Sequence, residues 1–100
     1  MIIYKIHQIK DIENTDYAFR NFDPTKFDFD DYELRYGGQF PDNNKSDIEV
    51  CEAVFHLFNV DRPADFTGHS LSMSDLVEVI TDYSRNFYYC DWAGWTIYIK

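Results

Sequence analysis

Three short apolar runs close the chain, residues 76–80 (LVEVI), 87–92 (FYYCDW) and 95–99 (WTIYI), and turn-forming residues separate them. Runs of this length bounded by polar clusters read as strands, and three in succession predict an antiparallel meander. In the first run both faces are largely apolar, so the strand is expected to be covered on two sides. Its approach breaks the alternation. Leu71, Met73, Asp75, Val77 and Val79 share one parity, which in a continuous strand would set a carboxylate among core residues. The pattern therefore predicts a turn or bulge at Ser74-Asp75, with the Asp75 side chain accepting backbone N–H bonds before the strand begins. Polar residues 81–86 predict the first turn of the meander. Ala93-Gly94 predicts the second, where Gly94 supplies a positive φ.

The first half carries four more elements. Residues 2–9 (IIYKIHQI) place Ile2, Tyr4 and Ile6 on one face and Ile3, Lys5, His7 and Ile9 on the other, a strand with a central place in the sheet. In DIENTDYAFRNF, Asn14 or Thr15 is set to cap a short helix over about residues 15–22, with Ala18, Phe19 and Phe22 turned inward, and Asp23-Pro24 ends it. Tyr32, Leu34 and Tyr36 alternate with Glu33 and Arg35, predicting a strand over 32–36 and a bulge or turn at Gly37-Gly38. Residues 41–45 read as a loop. Ser46 and Glu49 then match the capping box, and Ile48, Cys51, Val54, Phe55 and Phe58 recur at helical spacing, so a helix over about 46–59 is expected to lie across the sheet. Residues 61–68 form a connection that Pro63 keeps from being helical. The expected fold class is α+β: one small domain over residues 1–100, with a mostly antiparallel sheet of about five strands, one main helix, one short helix and the C-terminal meander.

Composition adds limits. At 45% hydrophobic and 19% aromatic residues, 100 residues suffice for a single core. No run approaches a membrane span, and MIIYKIHQIK lacks the apolar stretch of a secretion signal, so a soluble cytoplasmic protein is expected. Cys51 and Cys90 stand far apart with no second cysteine near either, which reads as two buried thiols in a reducing compartment.

Charge changes the picture more. The net charge is −9, and residues 11–52 hold twelve Asp or Glu against four Lys or Arg. Such a field repels nucleic acid and attracts basic surfaces, so direct DNA or RNA binding is not expected and a partner protein with a basic surface is. Asp23, Asp28, Asp30, Asp31, Glu33, Asp42, Asp47, Glu49 and Glu52 are the candidate partner-binding residues, numerous enough to imitate a nucleic-acid backbone if they share one face. An ordinary solvated surface is the plainer reading of the same residues.

Catalytic and metal signatures are weak. His7, His56 and His69 are scattered, neither C-x-x-C nor H-x-x-x-H spacing occurs, and DFDDYE fails as a calcium loop because Tyr32 and Glu33 stand where the third ligand and the glycine belong. No metal or cofactor is expected. Cys90 with His69, or Ser70, Ser72 or Ser74 with His69 and Asp75, assemble into nucleophilic pairs only on paper, because no nucleophile elbow surrounds any of them.

Residues 62–79 (RPADFTGHSLSMSDLVEV), followed after a turn by 87–95 (FYYCDWAGW), resemble the YodL-like domain family, in which an R-P, a G-x-S-x-S-x-S-D and an aromatic-Tyr-Cys-Asp followed by Gly-aromatic recur. Residues 3–23 and the segment DDYELRY are similar to small members of that family. Gly68, Ser74, Asp75, Asp91 and Gly94 match its pattern and are read as structural, while Trp92 departs from it by placing an indole where a smaller residue is expected. The resemblance implies an accessory protein of conjugative or phage-borne elements that acts on a host process, without catalytic residues. The resulting expectation is a non-enzymatic inhibitor of a host nucleic-acid-handling defence protein, of restriction or CRISPR type, acting through an acidic face. Its alternative is a module docking a different host protein, cytoskeletal or replicative, through the aromatic surface near Trp92 and Trp95.

Overall fold

A strand that is apolar on both faces demands cover on both, and that requirement organises this chain. The computed structural model describes residues 1–41, 45–61, 63–92 and 94–98. Strands β1 (Ile2–Ile9), β2 (Tyr32–Phe40), β3 (Leu76–Ile80), β4 (Arg85–Asp91) and β5 (Gly94–Tyr98) form one sheet in the order β2-β1-β3-β4-β5, with every neighbouring pair antiparallel. Helix α1 (Asp47–Val60) starts on the capping box seen in the sequence: Ser46 Oγ accepts from the Glu49 N–H, and the Glu49 carboxylate accepts from the Ser46 N–H. The fold is α+β, a five-strand antiparallel sheet with one main helix.

Adjacent strand residues point to opposite sides, and the two sides bury different partners. On one side Val50, Cys51, Val54 and Phe58 of α1, with Phe66 and Leu71, pack on Ile2, Tyr4, Ile6, Val77, Val79 and Tyr88. On the other, Ile9, Leu76 and Tyr89 meet Tyr17 and Tyr32, with Ile12, Ala18, Phe22, Phe27 and Phe29 around them. Among the described residues, turns and the single-turn 3-10 helix Phe29–Asp31 cover that face, with no second α-helix.

Several boundaries differ from the sequence expectation. The short helix over 15–22 is replaced by successive turns, in which Ala18 N–H bonds Thr15 O and Arg20 N–H bonds Tyr17 O. Local polar side chains compete with helix here: the Asp11 carboxylate accepts from both the Asn14 N–H and its amide, and Thr15 Oγ1 donates to the Asp11 carbonyl at 2.6 Å. Phe19, expected inward, adopts a positive φ of 63° and is 49% exposed. Gly37 and Gly38 do not turn the chain. They lie inside β2, opposite Lys5 and Tyr4, and a Cβ at Gly38 would stand 2.3 Å from the Tyr4 hydroxyl oxygen, so glycine there lets the Tyr4 ring cross the strand. The bulge falls earlier, because Ile6 pairs with Tyr36 and His7 with Leu34, leaving Arg35 as the extra residue. β4 starts two residues before the expected Phe87 and ends at Asp91, putting Trp92 in the turn. The expected loop at 41–45 and the end of the last strand fall partly on residues 42–44 and 99–100, outside the described residues, as does Ala93.

Gly94 has φ +145° with no atom within 4 Å of a built Cβ. Strain, not crowding, therefore governs substitution there. Gly94→Ala is expected to cost about 1–2 kcal/mol, measured as a lowered urea midpoint with unchanged slope.

Candidate functional site

The turn predicted at Ser74-Asp75 is present, and it ties together strands that are distant in sequence. Ser74 has a φ of 77°; its N–H bonds Cys90 O at 2.9 Å, and Cys90 N–H returns to Asp75 O at 2.8 Å. Ser74 Oγ accepts from the Phe19 N–H, and the Tyr32 hydroxyl donates to Ser74 O. Asp75 is 1% exposed, and its Oδ2 accepts from the Ser72 N–H at 2.9 Å and from Gln8 Nε2 at 3.1 Å. Burial pushes its carboxyl up to about 6, against the opposing pull of the Ser72 N–H and His69. Gly68 lies against the Gln8 amide and the Phe66 ring, with no room for a Cβ.

Asp91 plays the corresponding part at the end of β4. Its Oδ1 accepts from the Phe22 and Trp92 N–H groups, and its Oδ2 from Thr96 Oγ1 at 2.7 Å. Asn21 Oδ1 also accepts from the Trp92 N–H, and the Tyr89 hydroxyl donates to Arg20 O. These bonds pin the turn after β4 to the 19–22 segment, while the Trp92 side chain is left outside. Trp92 is 78% exposed.

On the helix side of that indole lies a cavity of about 230 Å³, lined by Glu52 and Phe55 of α1, Met73, Cys90, Asp91 and Trp95 together with Trp92. The Phe55 and Trp95 rings meet at 84° with centroids 6.3 Å apart. On the other side a second hollow of about 350 Å³ runs along Asn21 and Thr96, and a groove of about 650 Å³ continues past Met73 to Phe19, Arg20 and Lys26. An exposed indole thus stands between concavities, the surface form in which aromatic anchors engage partners.

The eight acidic candidates among the described residues are not brought together. Asp47, Glu49 and Glu52 ride on α1, on one side of the sheet. Asp23, Asp28, Asp30 and Asp31 belong to the segment covering the other side, and Glu33 sits on edge strand β2. Most are occupied by the chain's own donors. Asp23 accepts from Thr25, Asp28 from the Asp30 N–H, Asp31 from the Tyr17 hydroxyl and Glu33 from Arg35 at 2.8 Å. Asp47 accepts from the Tyr88 hydroxyl and the Asn86 amide, and Glu49 caps α1. Among the described residues, no hydrogen bond or ion pair engages the side chains of Asp30 and Glu52. Asp42 lies outside the described residues.

The nucleophilic pairs considered from sequence do not form either. Cys90 is buried and its thiol is pushed up to about 12 by burial, so it is protonated at neutral pH. His69 Nδ1 faces Ser70 O at 2.8 Å and its Nε2 lies 3.9 Å from Asp75, while Ser74 Oγ is engaged by Phe19 and Ser72 Oγ is buried with no hydrogen-bond partner among the described residues. Among the described residues no group of three or more His, Cys, Asp or Glu is placed to hold a metal ion, and no helix is long and apolar enough to cross a membrane.

The structural residues Gly68, Ser74, Asp75, Asp91 and Gly94 all lie in or beside the turns that shape this region. Sequence reasoning missed Phe55 and Met73 as surface-forming residues. Phe55 looked like one more member of the helical stripe, and only its meeting with Trp95 forty residues later shows otherwise.

No curated protein and no solved structure matches the chain. The model of the YodL-like domain matches residues 3–98, nearly its whole length. With the paired turns at Ser74-Asp75 and Asp91–Gly94 framing the sheet, the chain belongs to the YodL-like domain family.

Proposed function

We propose that this chain is a protein-docking module, without catalytic activity of its own, that binds a partner with a basic surface through the aromatic corner around Trp92 and Trp95. The observation that carries this reading is the Trp92 indole, 78% exposed at a turn whose backbone is held by Asp91 and Asn21. A large apolar side chain fixed in the open has its burial energy in reserve for a partner, and a rigid mount lowers the entropy lost on binding. The charge of −9 supplies attraction toward basic surfaces over a distance of about a Debye length.

Proteins that handle nucleic acids carry such basic surfaces to neutralise phosphates, and we place the target among them, in keeping with an inhibitor of a host defence nuclease. The docking element, however, is an apolar corner with acidic neighbours. The division of Asp47, Glu49 and Glu52 from Asp23, Asp28, Asp30 and Asp31 by the sheet, and the engagement of most of them by local donors, weighs against one continuous stripe copying a duplex.

Binding to purified restriction and CRISPR nucleases, titrated at low and moderate salt, tests this directly. Trp92→Ala is expected to weaken a complex about 30-fold, the loss of roughly 2 kcal/mol typical of a central aromatic anchor, while leaving thermal stability unchanged. The triple change Asp28→Asn, Asp30→Asn and Asp31→Asn should alter affinity no more than about threefold. The opposite order, with the carboxylates dominant and Trp92 neutral, would move the interface to the acidic segment and defeat the reading.

A further inference from the structure

We infer that the corner between Phe55, Trp95 and Trp92 receives the guanidinium of an arginine side chain carried by the partner, an assignment that rests on the docking reading above. The Phe55 and Trp95 rings meet edge-to-face at 84° in the wall of this cavity, and the exposed Trp92 indole lines it as well. Ring faces carry the negative part of the aromatic quadrupole, so a cation set in this corner is attracted by each ring whose face it meets. Two carboxylates, Glu52 and Asp91, line the cavity as well, and no Lys or Arg does among its described lining residues.

The two acids have different parts. Asp91 is locked by Phe22, Trp92 and Thr96 and contributes a fixed negative charge. Glu52 is exposed and has no partner among the described residues, which leaves its carboxylate available to pair with an incoming donor. At about 230 Å³ the cavity suits the head of one side chain, not a length of backbone.

The same features select among possible heads. A neutral apolar group would fill the walls but strip water from two carboxylates without replacing it. An ammonium is compact and strongly hydrated, and loses contact with a corner that is open at Trp92. A guanidinium is planar and weakly hydrated, stacks on an indole face, and still directs N–H groups to a carboxylate at its edge.

Trp92 and Trp95 are the only tryptophans of the chain, so fluorescence of the intact protein excited at the red edge, where its eight tyrosines do not absorb, reports on this corner alone. The probes are N-acetyl-arginine methylamide, its neutral isostere with citrulline in place of arginine, and the lysine counterpart, titrated at fixed ionic strength. The arginine probe is expected to give a saturable change, with the citrulline probe about tenfold weaker and the lysine probe between them. Glu52→Gln should weaken the arginine response about fivefold, and Trp92→Leu should abolish it. Equal responses to arginine and citrulline, equal responses to arginine and lysine, or indifference to Glu52→Gln would each overturn the assignment. Nuclease binding that depends on Trp92 in a protein blind to arginine would remove this inference and leave the docking reading standing. A saturable arginine response beside Trp92-independent nuclease binding would do the reverse.

Discussion

Arg85→Ala is expected to lower folding stability by about 3 kcal/mol at pH 7, although the side chain is largely exposed, because it leaves a buried carboxylate short of its cation. Glu78 is 1% exposed on β3. One of its oxygens accepts from His7 Nε2 at 2.9 Å and the other from Arg85 Nε, whose guanidinium lies over the Phe87 ring. Burial lowers the pKa of His7, whose ring packs 5.5 Å from Phe29 and 5.9 Å from Phe87, so at neutral pH it donates a hydrogen bond without carrying charge. Among the described residues Arg85 is then the one permanent cation in an ion pair with Glu78, Lys5 lying opposite it in the strand register without one. Burial raises the Glu78 pKa, but the bonds from His7 and Arg85 outweigh it and hold the group below its ordinary value. Its contribution to stability is therefore present above about pH 4.5 and is lost as the pH falls through the depressed folded value. Without Arg85 the balance inverts, the folded pKa rises above the unfolded one, and the variant should recover relative stability on acidification. Urea unfolding at pH 7 and pH 5 measures this, and adding Glu78→Gln to Arg85→Ala should restore most of the loss at pH 7. A cost below about 0.5 kcal/mol, the ordinary range for a surface position, would show that water already serves the carboxylate.

The strands were legible because burial leaves its mark on the chain, as a period of two for one face and as a short apolar run for both. Residues 2–9 and 76–80 show it, and both are strands with the bounds the pattern predicts. The main helix was legible for a similar local reason, since Ser46 and Glu49 satisfy each other's backbone donors within one turn. Even the kink at Ser74-Asp75 could be inferred, from the cost of burying Asp75 in a continuous strand. The segment over 15–22 could not. Ala18 and Phe22 are spaced like the inner face of a helix, yet the conformation of Phe19 is fixed by a hydrogen bond to Ser74, 55 residues away. No local propensity contains that partner.

The candidate site divides in the same way. Asp75 was visible because a polar group in an apolar context must be hydrogen-bonded somewhere, whereas Asp91 was marked by the family resemblance alone. The grouping of acids was not visible, because neighbours in sequence separate when a sheet passes between them. Asp31 and Asp47 lie close along the chain and bond tyrosines buried on opposite sides of the sheet, Tyr17 and Tyr88. The corner at Trp95 depends on α1 presenting Phe55 to β5, and each residue alone looks like core.

Asp75→Asn is expected to be more stable than the native chain near neutral pH and to lose that advantage in acid. Among the described residues both donors to the carboxylate, the Ser72 N–H and Gln8 Nε2, converge on Oδ2. An asparagine whose carbonyl oxygen takes that place keeps both bonds and turns its amide toward His69, which lies 3.9 Å from Oδ1. What it sheds is the charge. The folded carboxyl stands at about 6 against an ordinary value of 3.8, with burial as the main cause and His69 and Arg35 pulling the other way; Tyr32, Tyr89 and Cys90 are the other titratable neighbours. A folded value above the unfolded one means that stability is full below about pH 3.8 and is lost as the pH rises through about 6. At 1.36 kcal/mol per unit, the shift of roughly two units sets the native chain back by about 3 kcal/mol between those limits, and the variant avoids it. Unfolding curves of both proteins from pH 4 to pH 7.5 should therefore diverge with rising pH, by about 2–3 kcal/mol in favour of Asp75→Asn. Asp75→Ala, which deletes the acceptor and leaves Gln8 and the Ser72 N–H unserved, should be destabilised across the whole range. Parallel curves for the native chain and Asp75→Asn would mean that the carboxylate is solvated in the fold. The turn would then owe its shape to Ser74 and Cys90 alone.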